Sequence, residues 1–157
     1  MIHLKATEMT DVFSSQKRSQ VMARIQGKET RLEIKVRQYL RHHGFGYRKN
    51  YNGLPGKPDI VLAKYKCVVF VNGCFWHGHE GCKYFVIPKT RTNWWLAKIS
   101  RTKAKDVENY NQLIKDGWSI MVLWECELKN AFEQTMDRLI NNIKIPPTIS
   151  SIDYSGL

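Results

Sequence analysis

The sequence lacks a long hydrophobic run. Its longest apolar stretches, CVVFV and IMVLW, are far too short to span a membrane. The first residues, MIHLKATEMTDVF, lack the basic start and apolar centre of a signal peptide. Low-complexity tracts and internal repeats are also missing, and a chain of 157 residues has the size of a single domain. We therefore expect one soluble cytoplasmic domain over 1–157, with no membrane association.

Acidic residues are also scarce. The chain has 14 Asp and Glu against 25 Lys and Arg, which gives a formal net charge of +11. Solubility alone would account for some surplus, but an excess this large on a small chain favours a polyanionic partner. Nucleic acid is favoured over membrane lipid, because no long basic amphipathic segment is present.

The four cysteines are few but unevenly placed. Cys74, His79 and Cys82 lie within GCFWHGHEGC, and Cys126 follows the apolar run of WSIMVLWE. In a reducing compartment this pattern indicates metal ligands, and thiolate with imidazole suits tetrahedral zinc. Cys74 is favoured as the fourth ligand, and His77 is the alternative if Cys74 belongs to the core. Cys67, inside an apolar run, is expected to be a small core residue.

The hydrophobic pattern predicts an α/β fold with a mixed central sheet flanked by helices. Helices are predicted over 30–43, 92–116 and 130–142, and strands over 60–62, 68–71 and 118–125. The strand over 118–125 is apolar almost throughout, which favours a central position covered on both faces. A loose arm is expected over 1–16 and a tail over 145–157, and the basic segment 14–24 is either a DNA-binding helix or a solvated arm.

The segment GKPDIVL places Asp59 at the start of a strand, behind a turn. A carboxylate there can hold Mg²⁺, and His77 can handle a proton near neutral pH. Together with the basic charge, these residues indicate phosphodiester cleavage. Glu33 lies beside the apolar stripe of the first helix; it either faces this site or is an ordinary exposed glutamate, and the second reading is favoured.

Adjacent aromatic residues in a polar loop are unusual. Phe75 and Trp76 cannot easily both point inward from an extended segment, and Trp94 and Trp95 follow further along. Each tryptophan alone is more often a core residue. Beside a basic surface, however, exposed rings can wedge between base pairs, and unstacking costs least at a mismatch.

Several segments resemble the very short patch repair (Vsr) mismatch endonucleases. They run from about residue 18 to 128 and read RSQVMARI, TRLE, LPGKPDIVL, VVFVNGCFWHGHEGC, PKTRTNWWLAKI and GWSIMVLWECEL. The resemblance implies a fold similar to the type II restriction endonucleases, catalytic Mg²⁺ and structural Zn²⁺. It also implies nicking 5′ of the thymine in a T·G mismatch left by 5-methylcytosine deamination, which starts very short patch repair.

The resemblance also implies roles for individual residues. The implied catalytic residues are Asp59, His77 and Glu33, and Mg²⁺ is held by Asp59 and the backbone carbonyl of Val71. The implied zinc ligands are Cys74, His79, Cys82 and Cys126. The implied intercalating rings are Phe75, Trp76 and Trp95, and further DNA contacts come from Met22, Arg24, Ile25, Lys89 and Arg91. The implied partners are mismatched double-stranded DNA, a functionally linked cytosine-5 methyltransferase and other repair proteins. The implied state is a monomer that associates with the nucleoid when bound to DNA.

Three positions depart from the family pattern. Val71 stands where well-studied members carry threonine, whose backbone carbonyl contributes to the metal, so Val71 can still supply that group. Asn72 is included in the catalytic set because it stands where well-studied members carry histidine; an amide can hydrogen-bond but cannot carry a proton, so a lower rate is expected. Gly81 lengthens the zinc loop by one residue. The alternatives are a zinc-stabilised DNA-binding protein without catalysis and a restriction-type enzyme that cuts both strands.

Overall fold

The computed structural model describes residues 29–144 together with Gln16. Its elements are helix α1 (Arg31–His42), strands β1 (Arg48–Lys49) and β2 (Ile60–Leu62), a 3-10 turn (Ala63–Tyr65), strand β3 (Cys67–Asn72), helix α2 (Thr92–Lys115), strand β4 (Ser119–Trp124), and helices α3 (Glu125–Asn130) and α4 (Phe132–Ile143). The predicted tail over 145–157 lies outside the described residues. The predicted arm over 1–16 and the basic segment 14–24 also lie outside them, apart from Gln16.

The strands form one mixed sheet in the order β1-β2-β3-β4. β1 pairs with β2, and β2 with β3, in antiparallel fashion, whereas β3 and β4 run parallel. A parallel pair needs a crossover connection, and the long helix α2 provides it. The predicted mixed α/β architecture is confirmed. The two-residue strand β1 had no counterpart in the sequence prediction.

The predicted central position of the last strand is wrong. Among the described residues β4 pairs with β3 alone and lies at an edge of the sheet. Its apolar character has another cause: Met121 packs against one hydrophobic cluster, while Ile120 and Val122 pack against the other. The apolar run thus reflects cover on both faces of the strand and not a strand on each side.

The predicted last helix is also wrong in its start. Asn130 ends α3, and the chain turns at Ala131, where φ is −147° and ψ is 55°, before α4 begins at Phe132. The first helix agrees with its prediction. The hydroxyl of Thr30 accepts the N–H of Glu33 at 3.2 Å, and Gly44 follows the helix with φ of +81°.

The sheet separates two hydrophobic clusters. Side chains alternate along β3, so Val69 faces the cluster beneath α1 and α4, while Val68 and Phe70 face the cluster beneath α2. Cys67 is buried in the first cluster, as predicted. Within the described part of the chain, none of the helices is long and apolar enough to cross a membrane.

Candidate active site and metal centre

Asp59 lies directly before β2 and reaches across to β3. Its Oδ2 accepts the N–H of Val71 at 2.7 Å. In an antiparallel ladder the N–H and C=O of one residue face the same neighbouring strand. Strand geometry therefore directs the carbonyl of Val71 toward the same side of β3 as the Asp59 carboxylate.

The environment of Asp59 disfavours its ionised form. Burial is the main cause, and with the negative charge of Glu33 it raises the pKa of Asp59 to about 6. The N–H of Val71 and the charges of His77 and Arg37 act in the opposite direction. Glu33 and His77 therefore lie near enough to Asp59 for their charges to act on its carboxyl.

Glu33 is buried, and the favoured prediction of an exposed glutamate is wrong. Its side chain is only 3% exposed. The Oε1 atom accepts the hydroxyl of Thr30 at 2.9 Å, and Oε2 accepts the N–H of Glu29 at 2.9 Å. These bonds satisfy donors at the start of α1, much as a capping box does. The same carboxylate thus stabilises the helix start and adds charge beside Asp59.

His77 is held by a carboxylate that the sequence reasoning missed. Its Nδ1 lies 2.6 Å from Oδ2 of Asp106, a residue in the middle of α2. Such a partner fixes the ring orientation and leaves Nε2 as the nitrogen available for proton transfer. No spacing motif connects positions 77 and 106, so only the packing of α2 onto the loop could reveal the pair.

Asn72 ends β3 and is buried against Tyr110 of α2. It is 3% exposed, and its Nδ2 donates to the hydroxyl of Tyr110 at 3.3 Å. Burial raises the pKa of Tyr110 to about 12, so this hydroxyl is neutral. The charges of Asp59 and Asp106 act on the same hydroxyl, which places Asn72 next to the site.

The four cysteine and histidine residues predicted as zinc ligands come together. The ligand atoms of Cys74, His79, Cys82 and Cys126 all lie within 4.8 Å of one another, with Cys126 Sγ 3.4 Å from His79 Nδ1. Tetrahedral zinc with bonds of about 2.3 Å to sulfur needs ligand separations of roughly 3.8 Å. The donor set and its spacing fit such an ion. His77, the alternative ligand, pairs with Asp106 instead.

The loop reaches this arrangement through tight turns. The N–H of His79 donates to the carbonyl of Cys74 at 2.9 Å, and its ring stacks on Trp124 with centroids 4.1 Å apart. Gly78 has φ of +64°, and a Cβ there would lie 2.8 Å from Ile99. Only glycine therefore lets the loop lie this close to α2.

The thiols differ in their readiness to ionise. Burial raises the pKa of Cys74 to about 12, whereas the N–H of Tyr84 is the main cause that lowers the pKa of Cys82. A buried thiol gives up its proton when a divalent cation lies against it. The chemistry of the group therefore also suits a metal ion.

The aromatic residues pack into one cluster beside His77. Ring centroids lie 5.1 Å apart for Phe75 and Trp76, 5.2 Å for Phe75 and Trp95, and 6.0 Å for Trp76 and Trp95. All of these are half-buried, whereas Trp94, edge-on to Trp95, is 43% exposed. We call Phe75, Trp76, Trp94 and Trp95 the aromatic cluster.

Basic residues surround the aromatic cluster. The Nζ of Lys98 lies 5.3 Å from the ring centre of Trp76, 5.1 Å from that of Trp94 and 5.7 Å from that of Trp95. Arg91, one of the predicted DNA contacts, lies 5.5 Å from the Trp94 ring, and Lys89 is exposed nearby. Lys98 was missed by the sequence reasoning. Met22, Arg24 and Ile25 lie outside the described residues.

These features define an α/β protein that carries a thiol–imidazole metal-ligand group and, next to it, a carboxylate–histidine cluster beside partly exposed aromatic rings. The model of the DNA mismatch endonuclease Vsr family matches residues 10–83. The chain belongs to this family, since its relatives also match over most of their length.

Three relatives illustrate the extent of the similarity. The type II nicking enzyme V.NmeAIP of Neisseria meningitidis is 49% identical over 138 residues, which cover 87% of this chain and 98% of the relative. The type II nicking enzyme V.XorIIP of Xanthomonas oryzae pv. oryzae is 41% identical, and the match covers 78% of this chain and 89% of the relative. The DNA mismatch endonuclease Vsr of Escherichia coli is 35% identical, and the match covers 87% of this chain and 86% of the relative.

Proposed function

We propose that the protein is a metal-dependent DNA endonuclease that nicks one strand of a duplex 5′ of the thymine in a T·G mismatch. The mismatch would arise from deamination of 5-methylcytosine, so the enzyme would accompany a cytosine-5 methyltransferase and begin very short patch repair. Family membership supports the endonuclease activity. The proximity of Asp59, Glu33 and His77, next to half-buried aromatic rings, supports the site.

The residues divide the work of phosphodiester cleavage. Asp59 and the carbonyl of Val71 would hold Mg²⁺, which when bound supplies positive charge to the scissile phosphate. His77 would move a proton at Nε2, because Asp106 holds its Nδ1. Glu33, fixed by the start of α1, would orient water on the metal side. Asn72, which bonds to Tyr110, would stabilise the end of β3 without transferring a proton.

The thiol–imidazole group would bind structural zinc. Three of its ligands follow β3 and the fourth opens α3, so the ion would tie the loop to the end of β4. We further propose that 1–157 forms one domain with a fold similar to the type II restriction endonucleases and acts as a monomer. Met22, Arg24, Ile25, Lys89 and Arg91 would add DNA contacts, and other repair proteins would follow the nick.

A nicking assay tests the proposal directly. A duplex with a single T·G mismatch is incubated with the protein and Mg²⁺, and each strand carries its own label. We expect one cut, 5′ of the mispaired thymine, with the G-containing strand intact. Cleavage of both strands of a matched duplex would instead identify a restriction-type enzyme.

A non-catalytic DNA-binding protein is the second candidate. The observation that favours it is Asn72, whose amide is engaged by Tyr110 and cannot act as an acid or base. Tight mismatch binding without any nick, over a range of Mg²⁺ and Mn²⁺ concentrations, would establish this alternative.

Trp76→Ala should weaken mismatch discrimination more than overall DNA affinity. The Trp76 ring contacts both Phe75 and Trp95, so its loss removes part of the proposed wedge. We expect affinity for a T·G duplex to fall by about tenfold, since stacking of one ring on a base is worth about 1–3 kcal/mol. Affinity for the matched duplex should change little.

Equilibrium binding to both duplexes measures the effect. Trp118→Ala is the matched control, because Trp118 lies under Lys66 at the other end of the sheet. An equal loss of affinity for both duplexes would show that Trp76 serves packing and not mismatch recognition.

A further inference from the structure

A cationic pocket lies between helix α1 and the segment that leads into β1. Its volume is about 330 Å³, and its lining residues are Ile34, Arg37, Gln38, Arg41, Tyr47 and Lys49. None of these belongs to the thiol–imidazole group or to the proposed catalytic set. We call it the α1–β1 pocket.

Within the described residues, the buried guanidinium of Arg37 has a donor without an acceptor. The residue is 6% exposed, and among the described residues its Nη1 has no hydrogen-bond partner. Its Nη2 is 3.8 Å from Oε1 of Glu29, a weak contact. An unsatisfied buried donor costs about 1–3 kcal/mol, which an anion in the pocket would offset by accepting the free N–H. This guanidinium is therefore placed for a ligand with negatively charged oxygens.

The charge of the pocket points to the same ligand. Lys49 pairs with Glu29 at 2.6 Å, the carboxylate that also faces Arg37. Arg41 stands over the Tyr47 ring at 5.5 Å. Among residues 29–144, one carboxylate lies near these three cations, so this part of the structure leaves the pocket a positive surplus. Guanidinium groups match the oxygens of carboxylate and phosphate with two parallel hydrogen bonds, and phosphate is the one of these anions that a DNA backbone supplies.

The pocket adjoins the proposed catalytic cluster. Arg37 follows Glu33 by one turn on the same side of α1. Lys49 pairs in register with Ile60, the residue after Asp59, and the N–H of Asn50 donates to the carbonyl of Asp59 at 3.2 Å. A phosphate in the pocket would therefore lie close to the carboxylates.

We propose that the α1–β1 pocket binds a backbone phosphate of the DNA strand that is nicked, adjacent to the scissile phosphate. The inference rests on the proposed endonuclease function and adds a strand-positioning contact to it. Such a contact fixes the register of the strand and carries no sequence information. It should therefore strengthen binding to mismatched and matched duplexes alike.

The test begins with the salt dependence of DNA binding. Arg41→Gln/Lys49→Gln removes two exposed charges from the pocket without touching the core. Lys64→Gln/Lys115→Gln removes the same charge at the opposite end of the sheet. We expect the slope of log Kd against log salt to fall by about 1 for the pocket variant, on both duplexes, and to stay unchanged for the control.

A scan of the DNA backbone locates the contact. Single methylphosphonate groups, which are uncharged, replace each phosphate along the nicked strand in turn. One position near the nick should weaken wild-type binding by about tenfold and weaken the pocket variant clearly less, because Arg37 is the only pocket cation that the variant keeps.

Two results would overturn the pocket assignment. The first is a slope equal to that of the control. The second is a scan in which every position affects wild type and variant equally. Loss of thermal stability with an unchanged slope would show that the chain's own residues fill the pocket. If the wild type fails to nick T·G duplexes, the proposed function is wrong, whereas the slope and the scan still decide the pocket.

Discussion

Asp59→Asn is expected to abolish nicking and, at the same time, to stabilise the metal-free protein at neutral pH. An amide is a poor Mg²⁺ ligand, so the proposed site loses its anchoring charge. Its carbonyl oxygen can still accept the N–H of Val71, which preserves the local structure. Loss of activity with a gain in stability would distinguish a strained functional carboxylate from a structural one.

The stability gain should depend on pH in a defined direction. The pKa of Asp59 rises from 3.8 to about 6 on folding, so the folded state holds this proton more tightly than the unfolded state. Ionisation between about pH 4 and pH 6 therefore lowers the free energy of unfolding of the wild type, by up to roughly 3 kcal/mol. Asp59→Asn has no carboxyl to ionise at this position, so its free energy of unfolding does not fall in this way. The free energy of unfolding of the variant should equal that of the wild type near pH 4 and exceed it by the full amount above pH 6.

Urea denaturation from pH 4 to pH 8, in the presence of a Mg²⁺ chelator, measures this difference. Asp116→Asn serves as the control, because it neutralises an exposed carboxylate at the end of α2, away from the site. The assignment would be refuted by retained nicking in Asp59→Asn, or by a stability difference that does not change with pH.

Cys126→Ser should release zinc and cause the largest loss of stability of any single substitution discussed. Serine is a poor zinc ligand, and the remaining residues of the group all come from one loop after β3. Structural zinc contributes on the order of 10 kcal/mol to the folded state in sites of this type, so losing it should lower the free energy of unfolding by several kcal/mol.

Metal content by mass spectrometry and thermal unfolding with and without a strong chelator give the readout. The chelator should reduce the stability of the wild type to that of the variant. Cys67→Ala is the matched control: Cys67 is buried in the core outside the ligand group, so its loss should cost about 1–2 kcal/mol and leave the metal in place. Unchanged zinc in Cys126→Ser would contradict the four-ligand assignment.

The sequence was informative wherever residues close in the chain act together. Cys74, His79 and Cys82 lie in one loop, and the structure gathers them with Cys126 as the spacing suggested. The strands around Ile60 and Val69 were also predictable, because β-branched runs next to turn residues have few other solutions. The N-terminal cap at Thr30 belongs to the same kind of local signal.

Features that depend on tertiary packing were not readable from the sequence. Asp106 has no motif that links it to His77, and only the position of α2 brings the two within 2.6 Å. The burial of Glu33 depends on how α1 packs beside Asp59, although the hydrogen bonds of Glu33 to Glu29 and Thr30 are local. The edge position of β4 was missed because an edge strand that is covered on both faces has the same apolar pattern as a central strand.

The parallel pairing of β3 with β4 has a consequence for the order of folding. The proposed zinc ligands lie beyond the C-terminal ends of the two parallel strands, with Cys74, His79 and Cys82 after β3 and Cys126 after β4. Contacts between segments so distant along the chain form slowly, because closing a long loop costs conformational entropy before the contact contributes any stabilisation. The complete ligand set exists only after β4 has docked, so full coordination should come late in refolding and, once made, oppose the undocking of β4.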